Sequence, residues 1–280
     1  MAQFPDTIKF YNRDDASAFK IDWQLSFDGV AFSSIGETKH QIYLTLEKPN
    51  NGLRYESLLY IGSKSADGES EPAAAVAEIW SEFTESVGDG VSRVDGVPMG
   101  YYKNNTASVG TLSALLGSTH GSGVCDAWAD LLKGVLDVLG IEGGEIVSVR
   151  SNYTNSDSGD GEIPDPTRLI TKEFNFDGDG SAPQACAPFD YLESDLMRVN
   201  GGFPGQKQPN PPFDFVGHCI VSYADSYYDP SYGKGPYDFQ EAYENAAISA
   251  FVNNCRDDEN TLIDTFKQND ENTLETIFSD

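Results

Sequence analysis

The sequence predicts an α+β fold with a β-rich N-terminal region, and three observations predict it. Residues 8–62 alternate or cluster aromatic and β-branched residues, as strands do. Residues 125–141 repeat apolar residues at the spacing of one helix face. Residues 218–233 begin as an apolar strand and continue through a turn into a hairpin. We therefore expect a β-rich region over 1–70 and a main domain over 71–280.

The N-terminal region contains three predicted strands, at residues 19–27, 40–48 and 53–62. Each is rich in aromatic and β-branched residues. The connecting segments DGVAFSSIGET and PNNG carry Gly, Asn, Asp and Ser, which are typical of turns. Pairing of these strands as hairpins is the natural interpretation.

Two helices are predicted in the first half of the main domain. One opens near Pro72, a residue favoured at the first helical position, and has apolar residues at helical spacing, namely Val76, Ile79, Trp80 and Phe83. The other spans residues 125–141, and Gly140 is placed to form its C-terminal cap. Strands are expected at residues 144–151 and within RLITKEFNF.

The segment at about 152–212 is rich in Gly, Asp, Asn, Ser and Pro. A structureless loop of this length is uncommon in a compact domain, so we expect part of it to be ordered or functional. Beyond it, residues 237–253 are predicted to form one helix. The repeated DENTL at 258–262 and 270–274 is interpreted as the start of two small capped helices.

Composition limits the possible functions. The 280 residues are 39% hydrophobic, which is enough for one sizeable core, and they carry 45 acidic against 18 basic residues. The resulting net charge of −27 repels phosphate backbones and anionic lipid surfaces, so neither nucleic acid nor membrane is expected as a partner. The N-terminus lacks a basic region followed by an apolar run, so no secretory signal is expected. A cytoplasmic location is the default expectation, and signal-free export is the alternative.

The four cysteines are scattered, at positions 125, 186, 219 and 255, with no C-x-x-C pair. A structural zinc site and a disulfide framework are therefore not expected. NFDGDG at 175–180 begins like a calcium-binding loop, but its twelfth position is Cys186 instead of glutamate. We predict neither a metal nor a cofactor.

Cys125 is the candidate nucleophile because it follows GSGV and opens the clearest helix in the chain. A helix N-terminus favours an anion and lowers the pKa of a thiol. The same unpaired backbone N–H groups could hold the oxyanion of a tetrahedral intermediate. A buried, unreactive cysteine is the alternative interpretation.

A cysteine nucleophile needs a base, and His218 is the best of three histidines because it begins an apolar strand. Asp229 follows eleven residues later beside a proline, so a hairpin could bring its carboxylate to the imidazole. His40 is interpreted as structural. Cys219, the strand neighbour of His218, is expected to face away into the core.

Two segments of the chain resemble the transglutaminase-like superfamily, which has the papain-like cysteine protease fold. The first is GVCDAWADLLKGVLDVLGI, where glycine precedes the cysteine by two positions, an alanine follows at 129, and Gly-Ile closes the helix. The second is HCIVSYADSYYDPSYG, a strand opened by histidine and a hairpin that ends in an aromatic pair and Asp-Pro. The β-rich N-terminal region lies outside both.

The resemblance implies a papain-like core, in which the nucleophile helix packs on an antiparallel sheet that carries His218 and Asp229, and it makes residues 71–280 a catalytic domain. It also implies acyl transfer on protein or peptide amides through a thioester, by a peptidase, a deamidase or a transglutaminase. Cys125 would be the nucleophile, His218 the base, and Asp229 the residue that orients the base. The separation of 93 positions between Cys125 and His218 is longer than the family core implies, so residues 152–212 are interpreted as an insertion that acts as a lid or specificity element.

Some parts of the predicted site are not given by the two segments. Candidate side-chain donors to the oxyanion are Thr119, His120, Tyr101 and Tyr102. Because fold does not imply function, a catalytically inactive protein-binding module on the same scaffold is the main alternative. A further alternative is an exported toxin that modifies proteins of another cell.

Overall fold

A computed structural model of the chain describes residues 19–27, 29–50, 55–102, 110–117, 121–151, 168–171, 187–188, 204–209, 211, 214–215, 217–256, 262–268 and 276–279. The fold is α+β with antiparallel sheets, as predicted. The helices are α1 (Glu56–Ser65), α2 (Pro72–Glu85), α3 (Leu112–Gly117), α4 (Cys125–Val138) and α5 (Gln240–Ala247). In this part of the chain, no helix is long and apolar enough to cross a membrane.

The strands form two five-stranded sheets and two strand pairs. The strands are β1 (Phe19–Leu25), β2 (Ser33–His40), β3 (Gly100–Tyr101), β4 (Ser122–Gly123), β5 (Glu145–Ser151), β6 (Arg168–Thr171), β7 (Ala187–Pro188), β8 (Asp214–Phe215), β9 (His218–Tyr223), β10 (Ser226–Asp229), β11 (Lys234–Tyr237), β12 (Ile248–Arg256), β13 (Leu262–Gln268) and β14 (Thr276–Ser279). The main sheet has the order β11-β10-β9-β5-β14, and the second has the order β7-β13-β12-β6-β8. Both are antiparallel throughout, β1 pairs with β2 antiparallel, and β3 pairs with β4 in parallel.

Helix α4 lies at the centre of the larger hydrophobic core. It packs against α1 and α3 and against strand β9 of the main sheet. Most of its side chains are buried, including Trp128, Leu131, Leu132, Val135 and Leu136. The predicted helix at 125–141 and the predicted strand at 144–151 are thus confirmed, with the helix ending at Val138 and β5 beginning at Glu145.

Helix α2 also forms as the sequence predicts. Pro72 occupies its first turn, where the missing N–H has no intrahelical partner to lose. Its buried face comprises Ala75, Val76, Ile79, Trp80 and Phe83. The ring of Phe83 meets the ring of Trp128 edge-on, with centroids 6.3 Å apart, so α2 joins the same core as α4.

The strand predicted at 53–62 is wrong, because residues 56–65 form helix α1. The apolar residues there satisfy a helical period as well as a strand pattern. Leu58 and Ile61 are buried three positions apart, together with Ser57 and Gly62. This face packs against α4, so part of the predicted N-terminal region belongs to the main core. Tertiary burial of one helix face decides between two local conformations that the sequence allows.

The strand predicted at 40–48 is also wrong, whereas the one predicted at 19–27 is confirmed by β1. The partner of β1 is β2, which occupies part of the segment predicted to be a connecting turn. Gly29, with a φ of +72°, lies in the connection between them. Because glycine adopts that conformation without steric cost, the hairpin closes earlier than we predicted. Residues 41–50 run without regular structure.

The C-terminal helices are corrected most strongly. The helix predicted at 237–253 stops at Ala247, and β12 follows at once. Where two small helices were predicted after the DENTL segments, β13 and β14 lie instead. Runs such as ISAFVN and LIDTFK are rich in β-branched and aromatic residues, and β12 pairs with β13 in a regular antiparallel register. Residues 257–261 and 269–275 lie outside the described part of the chain.

Most of the predicted insertion lies outside the described residues, as does the calcium-like segment at 175–180. Within it, β6 confirms a strand at the start of RLITKEFNF. The short strands β7 and β8 join the same sheet as β6.

Gly140 caps α4, as predicted, and has a conformation and surroundings that no other residue would fit. Its φ is +76°, and a Cβ there would lie 2.6 Å from the backbone carbon of Glu47. Gly143 has a φ of +90° but nothing within 4 Å of its Cβ position. Gly143→Ala should therefore cost only the left-handed strain of about 1–2 kcal/mol. Gly140→Ala should cost a further ~1–3 kcal/mol because it overpacks the contact.

The measurement is urea unfolding of both variants beside the wild type. The backbone hydrogen bond from Glu47 N to Leu139 O (3.0 Å) indicates that residues 47–50 pack on the end of α4. Equal midpoints for the two variants would contradict that packing.

Candidate active site

Cys125 is the first residue of α4, and the short strand β4 leads into it. The N-terminal turn of a helix leaves N–H groups without intrahelical partners, and these face an anion favourably. A Cβ at Gly123 would lie 2.8 Å from Ala127 Cβ and 3.2 Å from Leu115 Cδ1. The glycine before the cysteine therefore has a packing role, because it lets the chain pass close to the first turn of the helix.

His218 and Asp229 stand at the two ends of one hairpin. His218 begins β9 and Asp229 ends β10, with Val221 opposite Tyr228 in the register. His218 Nε2 lies 2.8 Å from Asp229 Oδ2, and both side chains are buried. The predicted contact between these residues is present in the structure. Of the other histidines, His40 ends β2 beside Thr38, and His120 lies outside the described residues.

Asp229 is held by more than the histidine. Its Oδ1 accepts hydrogen bonds from the backbone N–H groups of Ser231 (3.2 Å) and Tyr232 (3.4 Å). Its Oδ2 also accepts a hydrogen bond of 3.3 Å from the hydroxyl of Tyr243, on α5. A buried carboxylate with this many donors keeps one orientation.

Cys125 meets His218 across the interface between α4 and β9. Cys125 lies close enough to His218 for each to shift the pKa of the other, and since Nε2 is bonded to Asp229, Nδ1 is the nitrogen that can face the sulfur. The structure therefore brings Cys125, His218 and Asp229 together, as a nucleophile, a base and an orienting carboxylate require.

The charges of the site favour an ionised pair. A hydrogen bond from Cys219, followed by the hydrogen bond and charge of His218, lowers the pKa of Cys125 to about 5 against the effect of burial. Burial alone would lower the pKa of His218, but the charge and hydrogen bond of Asp229, with Cys125, raise it to about 10. Between these values the sulfur is a thiolate and the imidazole is protonated.

Tyrosine rings enclose the imidazole. The ring of Tyr232 lies 5.5 Å and that of Tyr101 lies 6.5 Å from the ring of His218, measured between centroids. Both tyrosines are almost fully buried. They keep water from the ion pair, and charges interact more strongly where water is excluded.

The structure describes two of the four predicted oxyanion donors. Thr119 and His120 lie outside the described residues. Tyr101 pairs with Gly123 through β3 and β4, which places it beside the first turn of α4 and within electrostatic reach of Cys125. Burial raises the pKa of Tyr101, so its hydroxyl keeps its proton. Tyr102 is half-buried against Tyr101, with a ring-centroid distance of 4.9 Å.

Two residues that the sequence analysis did not assign to the site also lie beside Cys125. Cys219 packs against the main core, as predicted, but its Sγ also lies within 4.8 Å of Cys125 Sγ. Its interaction with Cys125, followed by burial, raises the pKa of Cys219. The exposed carboxylate of Asp126 has Oδ1 3.7 Å from Cys125 Sγ. The ligand atoms of Cys125, Asp126 and Cys219 all lie within 4.8 Å of one another.

The end of the predicted insertion packs against the wall of the site. Gln206 is fully buried, and its Nε2 donates a 2.7 Å hydrogen bond to the carbonyl of Phe83 in the last turn of α2. Its backbone accepts from Tyr101 N (2.7 Å) and donates to Ser231 O (2.9 Å). Gln208 Nε2 donates to the carbonyl of Tyr102 at 3.1 Å. Residues 204–209 thus connect Tyr101 and Tyr102 to helix α2 and to the turn after Asp229.

Comparisons with protein-family models, with curated proteins and with solved structures found no match for this chain. Its site is therefore interpreted from its own residues and geometry.

Proposed function

We propose that this protein is a cysteine-dependent acyltransferase or hydrolase that acts on protein or peptide amides through a thioester, on a core of the papain-like, transglutaminase-like type. The observation that carries the proposal is the buried 2.8 Å hydrogen bond between His218 Nε2 and Asp229 Oδ2, beside a Cys125 whose pKa His218 helps to lower. A helix that presents a cysteine to an antiparallel sheet bearing histidine and aspartate supports the same core.

The proposed reaction has two halves. The thiolate of Cys125 attacks the amide carbon, and the carbonyl oxygen becomes an anion at the N-terminus of α4. The protonated His218 then gives its proton to the leaving amine as the C–N bond breaks, which leaves a thioester. In the second half, neutral His218 takes a proton from water or an amine as that group attacks the thioester, and Cys125 leaves as the thiolate.

Hydrolysis is the first choice for the second half because water is always available as the acceptor. Transfer to an amine is the second candidate, and the enclosure of the site favours it. Cys125 is 8% exposed and His218 is fully buried, so few water molecules reach the sulfur. Exclusion of water preserves a reactive intermediate until another acceptor arrives. Release of free carboxylate or formation of a new amide distinguishes the two.

The ionised pair also supports an enzyme over a binding module on the same scaffold. A binding module has no use for a thiolate stabilised by a buried imidazolium, and perturbed pKa values cluster at functional sites. An exported protein-modifying toxin would use the same chemistry on a host protein. Growth arrest on expression that Cys125→Ala relieves would support that alternative.

The proposal is tested by the pH dependence of alkylation at Cys125 with iodoacetamide. The rate should rise through a midpoint at about pH 5 and then stay level, because the thiolate is already formed. In His218→Ala the midpoint should rise by about two units or more, and a rise from about 5 to about 7 lowers the thiolate fraction at pH 6, and with it the rate, about tenfold.

Peptide mapping identifies the alkylated residue, and Cys125→Ala should remove the fast phase. The active thiol is then assayed with glutamine-containing and other peptides for release of ammonia or amine. A midpoint near that of an ordinary cysteine, unchanged in His218→Ala, would contradict the proposed function.

A further inference from the structure

We propose that Cys125, Cys219 and Asp126 form a binding site for a thiophilic divalent cation of the Zn²⁺ class. Their three ligand atoms, two sulfurs and one carboxylate oxygen, lie within 4.8 Å of one another. Thiolate and carboxylate are ligands that Zn²⁺ takes readily, and thiolates select it over Mg²⁺ or Ca²⁺. The sequence did not predict this site because the two cysteines are far apart in the chain.

The distance between the Cys125 and Asp126 ligand atoms matches the spacing of ligands around a tetrahedral ion. Zn–S bonds of about 2.3 Å place two sulfurs roughly 3.8 Å apart, and a Zn–O bond of about 2.0–2.2 Å places the oxygen slightly nearer. Cys125 Sγ and Asp126 Oδ1 already lie 3.7 Å apart. Three protein ligands leave a fourth position open, as in exchangeable sites.

The fold fixes two of the ligands and leaves the third accessible. Cys125 is held by the first turn of α4, and Cys219 by the pairing of β9 with β5, where it lies opposite Ser148. Asp126 is exposed and Cys219 is half-buried, so an ion can enter from the Asp126 side. Two thiol groups and one carboxylate favour a cation here, against the positive end of the helix dipole and the protonated His218 beside Cys125.

Binding would displace the proton of Cys219 to solvent and would occupy the lone pairs of both sulfurs. Cys125 could then neither attack an amide nor react with an alkylating agent. The cation would therefore act as a reversible inhibitor, and this consequence rests on the proposed function, whereas the binding itself does not.

The test is a titration of the full-length, reduced and metal-free protein with Cd²⁺, followed by the charge-transfer absorption of thiolate–cadmium bonds, and with Zn²⁺ by calorimetry. We expect one ion per chain, and 1:1 protection of Cys125 from iodoacetamide that a chelator reverses. Because changes outside the ligand set alone cost about 10–100-fold in metal affinity, Cys219→Ser should weaken binding by at least about a hundredfold.

Asp126→Asn should weaken binding at least about tenfold, and because Asp126 is exposed this variant is not expected to disturb folding. Asp130→Asn is the matched control, since it removes a half-buried carboxylate one turn further along α4 that is outside the cluster, and it should leave affinity unchanged. Binding that persists in Cys219→Ser, or that Asp130→Asn weakens as much as Asp126→Asn does, would overturn the proposed site. Rapid alkylation of Cys125 in the metal-free protein tests the proposed function separately.

Discussion

Asp229→Ala is expected to lower the free energy of unfolding by about 3–5 kcal/mol, the usual cost of removing one partner from a buried ion pair. Asp229 is 1% exposed, and it accepts hydrogen bonds from His218, Tyr243 and two backbone N–H groups. The variant leaves these donors in a buried site with no acceptor, and unmade hydrogen bonds of buried groups are costly. Urea unfolding at neutral pH measures the loss.

The same substitution should also lower the reactivity of Cys125 toward alkylation. Burial is the largest influence on His218 and lowers its pKa, and Asp229 is the main influence that raises it. Without the carboxylate the imidazole becomes neutral, so it no longer stabilises the thiolate. Alkylation of Cys125 at pH 6 should then slow at least about tenfold, which corresponds to a rise of its pKa by about two units from about 5.

Two further variants make this test specific. Asp229→Asn retains an oxygen for the N–H groups of Ser231 and Tyr232 but loses the charge, so it should lose reactivity at Cys125 with a smaller loss of stability. Asp225→Asn makes the same change in the exposed turn of the same hairpin and should alter neither quantity. Wild-type reactivity in Asp229→Asn would show that the carboxylate charge does not reach Cys125 through His218.

The second large effect is a change in how stability depends on pH. In the wild type, the raised pKa of His218 contributes stability that is fully present below about pH 6.5 and is lost as the pH rises to about 10. The lowered pKa of Cys125 contributes stability that is fully present above about pH 9 and is lost as the pH falls to about 5. Between pH 6.5 and 9 the contribution of His218 to the free energy of unfolding falls with pH and that of Cys125 rises, so the two changes cancel.

Cys125→Ala removes only one of these slopes. Asp229 still raises the pKa of His218, so the variant should lose stability relative to the wild type as the pH rises above 6.5, by at most about 1.4 kcal/mol per pH unit. Urea unfolding of both proteins between pH 6.5 and 9 gives the difference. In Cys125→Ala with His218→Gln both groups are absent, and the relative slope should disappear. A single variant that stays parallel to the wild type would mean that His218 is not protonated in the folded protein.

The elements that sequence analysis predicted correctly are those whose pattern admits one period. The stripe of Trp128, Leu131, Leu132, Val135 and Leu136 fits only a helix, and the alternation from His218 to Tyr223 fits a strand. Residues 53–62 and 248–256 fit both, and their conformation depends on partners distant in the chain. Helix α1 forms because one of its faces packs on α4, and β12 forms because β6 and β13 pair with it.

The candidate site likewise contains residues that the sequence predicts and contacts that it does not. Cys125, His218 and Asp229 could be proposed from two local segments because each carries a recognisable turn, cap or strand end. The contacts of Cys219 with Cys125 and of Tyr243 with Asp229 could not, since they depend on how α4 and α5 pack against the main sheet. Strand alternation placed Cys219 correctly in the core, but it does not show that the start of α4 lies on that same face.

The hairpin that joins His218 to Asp229 has a consequence for the order of folding. Eleven residues separate these two, whereas the whole insertion separates Cys125 from His218. Closing the longer loop costs more chain entropy, and contacts distant in sequence form more slowly. The base and its carboxylate should therefore be assembled before the cysteine reaches them. During synthesis, the thiol emerges from the ribosome well before its partner histidine, so it remains an ordinary, weakly reactive cysteine until the main sheet closes against α4.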